Sequence, residues 1–152
     1  MRRKFITAWS LALLAIALAV HGGAAPERLP LIYQNAIEPV TRRVRFAFQT
    51  ESNCRNLFAE YGGDPRLTLD RANFVYVGDA LKPLGFAAAT VLGTNQTLIG
   101  AAFYQNTADR EGMATVVIHE LLHQQGAGPE IDNYLENYEQ ISTACRTRNA
   151  AR

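Results

Sequence analysis

The chain has 152 residues, and its 15 basic and 14 acidic side chains give a net charge of +1 with neutral histidines. This near balance gives no reason to expect a nucleic-acid partner, and the small basic cluster at residues 42–45 is better explained as a solvated face. Hydrophobic residues make up 48% of the chain, which is enough for one domain with a modest core.

The first 24 residues have the three parts of a secretory signal peptide. Basic residues at positions 2–4 precede an apolar run at 5–20, and small residues follow at once. This run is shorter than the ~20 residues that a membrane-spanning helix needs. We therefore expect cleavage after Ala24 and a secreted or periplasmic protein with no stable membrane association. Residues 25–152 are predicted to form a single monomeric domain, whose twelve basic and fourteen acidic residues give a net charge of −2.

The N-terminal part of this domain is predicted to begin irregularly. Residues 26–43 contain three prolines and show no clear period, which is typical of an irregular lead-in. The alternation of Val44, Phe46 and Phe48 then predicts a strand. A short helix at residues 54–61 follows, ended by a glycine-rich turn.

The middle of the domain is predicted to form a sheet. The β-branched and aromatic run at residues 74–77 predicts one strand. Residues 87–92 and 97–104 flank the turn sequence Gly93-Thr94-Asn95-Gln96, so they are predicted to be the two strands of a hairpin.

Two helices are predicted in the C-terminal part. Apolar residues cover more than half of the circumference of a helix from about Arg110 to Gln125, so it is predicted to be largely buried. Gly126 suits the position just after its end, where the chain can reverse. Asn133 and Glu136 form a capping-box pattern for a last helix from Tyr134 to about Arg148. The elements together predict an α+β fold, with a small antiparallel or mixed sheet packed on these two helices.

Two cysteines remain after the leader, Cys54 and Cys145. In an exported protein the simplest outcome is one disulfide that ties the two ends of the domain together. The alternative is Cys145 as a metal ligand. It requires a reducing compartment, so we place it second.

The predicted buried helix carries His119-Glu120-Leu121-Leu122-His123, the HExxH pattern of zinc metallopeptidases. On a helix the two histidines share one face, about one turn apart, and can bind one ion. Glu120 lies at the edge of that face, where it can take a proton from water on the metal without being a ligand. Leader cleavage would remove His21, the remaining histidine of the chain. The pattern would then arise by chance roughly once in a thousand times.

Catalytic zinc usually has three protein ligands and one open position. Since the predicted mature chain has no further histidine, the third ligand is predicted to be a carboxylate, with a tyrosine or cysteine as the second choice. Pro129 occupies the position of the last histidine in the metzincin pattern HExxHxxGxxH, which excludes an ordinary metzincin. Asp132 loosely matches an aspzincin-type ligand and is the first candidate, followed by Glu130. Glu136 or Glu139, on the last helix, would suit a gluzincin-type site and come third.

The chain resembles a group of small exported bacterial HExxH proteins that are classed as zinc metallopeptidases. The similarity covers most of residues 50–146. It implies a zincin-like fold, a disulfide between the two cysteines and a zinc site. The segments that carry it are Cys54-Arg55-Asn56-Leu57-Phe58, Ala88-Ala89-Thr90, Val116-Val117-Ile118 with the HExxH motif after it, and Asn137 to Cys145.

These observations predict a secreted zinc-dependent hydrolase, most simply a peptidase acting on a peptide or protein substrate. His119 and His123 would bind Zn²⁺, and Glu120 would act as the general base. Asp132 or Glu130 would complete the site. The alternative is a non-catalytic binding or structural module in which the metal organises the C-terminal half.

Two further expectations concern the cleft. By analogy with zincins, the second hairpin strand, at 97–104, would border the cleft and offer an exposed edge to an extended peptide. Tyr134 or Tyr138 would be a candidate for stabilising the oxyanion, although tyrosines on a packing helix more often belong to the core.

Overall fold

The computed structural model describes residues 31–105, 110–132 and 134–147. The predicted signal peptide at 1–24 and Asn133 of the predicted capping box lie outside the described residues. Among those that are described, no helix is both long enough and apolar enough to cross a membrane.

The fold is α+β and mostly helical, with one small mixed sheet, so the predicted fold class is confirmed at that level. Short 3₁₀ segments at Asp79–Leu84 and Pro129–Asp132 lie between the longer elements. In chain order the α-helices and β-strands are α1 (Leu31–Thr50), α2 (Ser52–Ala59), α3 (Pro65–Arg71), β1 (Asn73–Gly78), β2 (Ala88–Thr90), β3 (Gln96–Gly100), α4 (Ala101–Gln105), α5 (Arg110–Gln124) and α6 (Tyr134–Ala144).

Helix α1 replaces the strand predicted from Val44, Phe46 and Phe48, so that prediction is wrong. Val44 and Phe48 are fully buried, whereas Phe46 is 63% exposed. Residues four apart lie on the same side of both a strand and a helix, so only the middle residue distinguishes the two structures. Val40 and Ala47 are also buried, and the four buried positions have helical spacing.

The irregular lead-in predicted for residues 26–43 is wrong from Leu31 onward, where α1 begins. Pro39 lies inside this helix and cannot donate the usual hydrogen bond to residue i−4. The helix nevertheless continues, since its buried face from Val40 onward belongs to the main hydrophobic core and α1 packs along α5.

Strand β3 is the central strand of the sheet, in the order β1-β3-β2. It pairs in parallel with β1 and antiparallel with β2, with Thr90 opposite Thr97. The predicted hairpin is therefore confirmed, although both of its strands are shorter than expected. The exposed edge expected at 97–104 is wrong, because β3 is paired on both sides and the chain enters α4 at Ala101. The outer strand beside α5 is β2, and its three residues are buried.

Helix α5 lies at the centre of the core, as its apolar circumference predicted. Val117, Ile118 and Leu121 are fully buried. The helix packs on α1, on α6 and on β2, so its two sides face a helical layer and the sheet.

The end of the described chain is fastened in two ways. Cys54 and Cys145 form a disulfide between residues 91 apart in the sequence, as predicted, so Cys145 is not a metal ligand. Beyond it, the Thr147 carbonyl accepts a 2.6 Å hydrogen bond from Arg43 of α1. The Thr147 hydroxyl pairs at 2.6 Å with that of Thr115 in α5. Helix α6 is thereby fixed to three other helices.

Two substitutions in α1 test the helical assignment against the predicted strand. Val44→Ala should lower the free energy of unfolding by on the order of 2 kcal/mol, because it removes two buried methyl groups and leaves a cavity. Phe46→Ala, at an exposed position, should change it by less than about 0.5 kcal/mol. Urea unfolding followed by circular dichroism measures both. Comparable large losses in the two variants would support the strand instead.

Removing the disulfide by the pair Cys54→Ser and Cys145→Ser should lower the free energy of unfolding by about 2–5 kcal/mol, because a long loop is no longer closed in the unfolded chain. The measurement is urea unfolding of the variant beside the oxidised wild type. An unchanged midpoint would show that the cross-link does not stabilise the fold.

Candidate metal centre

The two motif histidines meet on one face of α5, as their spacing predicted. Their Nε2 atoms lie 3.1 Å apart. His123 is buried, with 8% of its surface exposed. His119 is partly buried. The two imidazoles therefore already lie close together, at the edge of the hydrophobic core.

The turn after α5 fixes the orientation of His123. Gly126 has φ of +101° and takes the position predicted for it, with its N–H donating to the His123 carbonyl at 3.0 Å. The reversed chain brings the Ala127 carbonyl to 2.9 Å from Nδ1 of His123. A carbonyl only accepts hydrogen bonds, so the ring proton belongs on Nδ1 and Nε2 carries a free lone pair. This is the usual outer-shell arrangement of a metal-binding histidine.

Asp132 completes the group of three. Its Oδ1 lies 3.0 Å from Nε2 of His123 and 3.5 Å from Nε2 of His119. The hydrogen bond to His119 is the main cause that lowers the pKa of the Asp132 carboxyl; partial burial opposes it, and His123 adds to it. The 3₁₀ segment before α6 carries Asp132, and Asn137 of α6 holds this segment by donating to the Ile131 carbonyl at 2.8 Å.

The three atoms have the spacing of a tetrahedral metal site. Metal–ligand bonds of ~2.0–2.1 Å at a tetrahedral angle would place ligand atoms ~3.3 Å apart, and the observed distances of 3.0, 3.1 and 3.5 Å fall around this value. Nε2 of His123 and Oδ1 of Asp132 are then two acceptors 3.0 Å apart, and a cation among the three atoms would remove their repulsion. Two imidazoles and one carboxylate suit zinc and other divalent transition metals. The residues therefore fit a metal ion, and Asp132, with 56% of its side chain exposed, leaves the group open to solvent on one side.

Glu120 interacts electrostatically with both histidines but is not a member of this group. It is buried, with 5% of its surface exposed, and its Oε2 has no hydrogen-bond partner among the described residues. Burial raises the pKa of the carboxyl, while the nearby His119 and His123 act in the opposite direction. A buried carboxyl with an unused oxygen is poised to accept a proton from a group that enters the site.

The other candidate carboxylates have different positions. Glu130 accepts a 2.7 Å hydrogen bond from the Gly128 N–H, so its carboxylate is bound within the turn that follows α5. Glu136 and Glu139 are exposed on α6 and line a groove of about 560 Å³ between α6 and α2. Of the carboxylates considered, the structure brings only Asp132 to the histidines. The suggested oxyanion roles of Tyr134 and Tyr138 stay predictions.

Sequence reasoning missed three polar residues next to Glu120. The Thr90 hydroxyl donates to the Glu120 carbonyl at 3.0 Å and lies 2.9 Å from the Thr97 hydroxyl. Nε2 of Gln124 donates to Thr97 at 2.8 Å. Threonine is common in strands, so neither threonine stood out. The available signal was the turn at residues 93–96, which in a hairpin register sets Thr90 opposite Thr97.

Comparison of the chain with models of known protein families, with curated proteins and with solved structures finds no match. The resemblance to small exported HExxH proteins therefore stays a prediction.

Substituting Asp132 should weaken metal binding. Asp132→Ala removes the candidate carboxylate ligand and should lower zinc affinity by more than the ~10–100-fold that loss of an outer-shell partner causes. Glu130→Gln is the matched control and should leave affinity nearly unchanged. Competition with a chromogenic chelator gives both constants. A larger loss in Glu130→Gln than in Asp132→Ala would identify Glu130 as the ligand.

Proposed function

We propose that this protein is an exported zinc-dependent hydrolase that cleaves peptide bonds. The observation that carries the proposal is the combination of a three-ligand group and a buried acid beside it. His119, His123 and Asp132 fit a tetrahedral ion with one position left for another molecule. Glu120 has the burial and the unpartnered oxygen expected of a general base.

When bound, zinc would supply Lewis acidity, which lowers the pKa of a water molecule and polarises a carbonyl group. Glu120 would accept a proton from the water molecule that attacks the scissile carbonyl. Because burial raises the pKa of Glu120, the protonated acid is stabilised relative to one in solvent, and it can return the proton to the leaving amine. One carboxyl then serves both proton transfers.

The other residues of the site hold the geometry in which this happens. The Ala127 carbonyl keeps the proton of His123 on Nδ1 and the ring turned toward its neighbours. The half-exposed Asp132 leaves one side open, through which a substrate could approach. A closed structural site generally uses four protein ligands, whereas the described residues bring three together.

A Glu120→Gln variant separates catalysis from metal binding. Purified wild type should contain about one equivalent of zinc and cleave an unfolded protein such as reduced, alkylated casein. Glu120→Gln should keep the zinc and lose about 10²–10⁴-fold in kcat, because an amide cannot accept the proton. Glu139→Gln, on the exposed face of α6, is the matched control and should retain full activity.

The other outcomes are equally specific. Zinc in both proteins with no hydrolysis by either would indicate the structural module, in which the ion only organises the C-terminal half. No bound metal in the wild type, even after dialysis against zinc, would overturn both readings. Activity retained in Glu120→Gln would remove Glu120 from the mechanism.

A further inference from the structure

The buried side chains around Glu120 include a chain of hydrogen bonds that the proposed mechanism does not use. It runs from Gln124 of α5 through Thr97 of β3 and Thr90 of β2 to the Glu120 carbonyl, over distances of 2.8, 2.9 and 3.0 Å. Thr97 is fully buried, and Thr90 is 4% exposed. The chain begins and ends on the same helix turn and passes through both strands of the hairpin.

The direction of each hydrogen bond follows from the number of protons. A threonine hydroxyl has one proton to donate. The proton of Thr90 goes to the Glu120 carbonyl, so the 2.9 Å contact must use the proton of Thr97. The Thr97 oxygen in turn accepts from the Gln124 amide. Both hydroxyls therefore donate once and accept once, which leaves no free rotation to either.

The hydrogen-bond chain is connected to the helical turn that carries Glu120. By the i to i−4 pattern of an α-helix, the Glu120 carbonyl also accepts the backbone N–H of Gln124. Gln124 is thus linked to the Glu120 carbonyl twice, directly by its backbone N–H and through the two threonines by its side-chain amide. The hairpin is fixed against the single helical turn that carries the base, and β2 is the strand that packs on α5 there.

We propose that Thr97 and Gln124 are positioning residues, which act through Thr90 to hold the Glu120 turn against β2 and thereby aim its carboxyl at the metal group. This inference rests on the proposed function. A base displaced by as little as 1 Å can lose about 10²-fold in rate, so the tie would be required for turnover rather than for metal binding. None of the three residues is a ligand in the group of His119, His123 and Asp132.

Another threonine of the protein, Thr115, provides a matched control for the loss of a buried hydroxyl. Thr115, also on α5 and fully buried, donates to the Glu111 carbonyl at 3.1 Å and pairs with the Thr147 hydroxyl at 2.6 Å. This arrangement has the same chemistry as the Thr97–Thr90–Glu120 chain but sits one turn before the motif. Thr115→Val should therefore reproduce the cost in stability without the displacement of Glu120.

The experiment compares Thr97→Val, Thr97→Ser and Thr115→Val in the full mature chain loaded with zinc. Thr97→Val should lower kcat about tenfold or more with unchanged zinc content and little change in KM. Thr97→Ser restores the hydroxyl and should return kcat close to wild type, and Thr115→Val should leave it unchanged. Gln124→Leu removes only the amide that donates to Thr97. It should also lower kcat, and it tests the proposal if Thr97→Val does not fold. Equal losses of kcat in Thr97→Val and Thr115→Val would overturn the proposal.

A second readout does not depend on activity. Hydrogen exchange of the metal-free proteins should show faster exchange at the Val91 and Gly100 amides, which close the hairpin, in Thr97→Val but not in Thr115→Val. Unchanged exchange would overturn the proposal even if hydrolysis were found. If the wild type binds zinc and cleaves nothing, the proposed function fails. Faster exchange at the hairpin would then still support the tie between the hairpin and the Glu120 turn.

Discussion

The arrangement of the site depends on one hydrogen bond, from Nδ1 of His123 to the Ala127 carbonyl. It decides which ring nitrogen is protonated and therefore which one faces His119. The bond exists because the chain reverses at Gly126, whose φ of +101° a residue with a side chain rarely adopts. The same reversal directs the chain toward the segment that ends at Asp132. A single backbone conformation thus sets both the tautomer of His123 and the approach of Asp132.

Helix α5 makes this local arrangement rigid because it is packed on two opposite sides. Helix α1 covers one side, and β2 contacts the other near Glu120. The cross-link at Cys145 holds the end of α6, which begins shortly after Asp132. These contacts keep three short stretches, at residues 119–123, 126–128 and 130–132, in fixed relation.

Sequence was a good guide where the relevant interactions are periodic or local. The spacing of His119 and His123 sufficed to place both rings together, and the turn at residues 93–96 sufficed for the hairpin. It failed at α1, because Val44 and Phe48 satisfy a helix and a strand equally well and only the exposure of Phe46 separates them. The threonine chain could not be foreseen for a different reason. It depends on how closely a strand packs on a helix, which no single-residue preference encodes.

The choice between Asp132 and Glu130 shows the same limit at short range. Both carboxylates follow the glycine turn within a few residues, so sequence spacing alone would allow either of them to reach the histidines. The backbone N–H of Gly128 binds Glu130, so the competition is decided by a local hydrogen bond that sequence spacing does not reveal. The remaining candidates on α6 face another helix, away from the motif.

The uneven exposure of the three candidate ligands has a consequence for the lifetime of a bound ion. His123 is held in the core and His119 is largely covered, whereas more than half of the Asp132 side chain is open to solvent. An ion would therefore exchange its ligands in a set order, with the carboxylate released first and the buried imidazole last. A bound ion could then enter and leave from that one side without opening of the core.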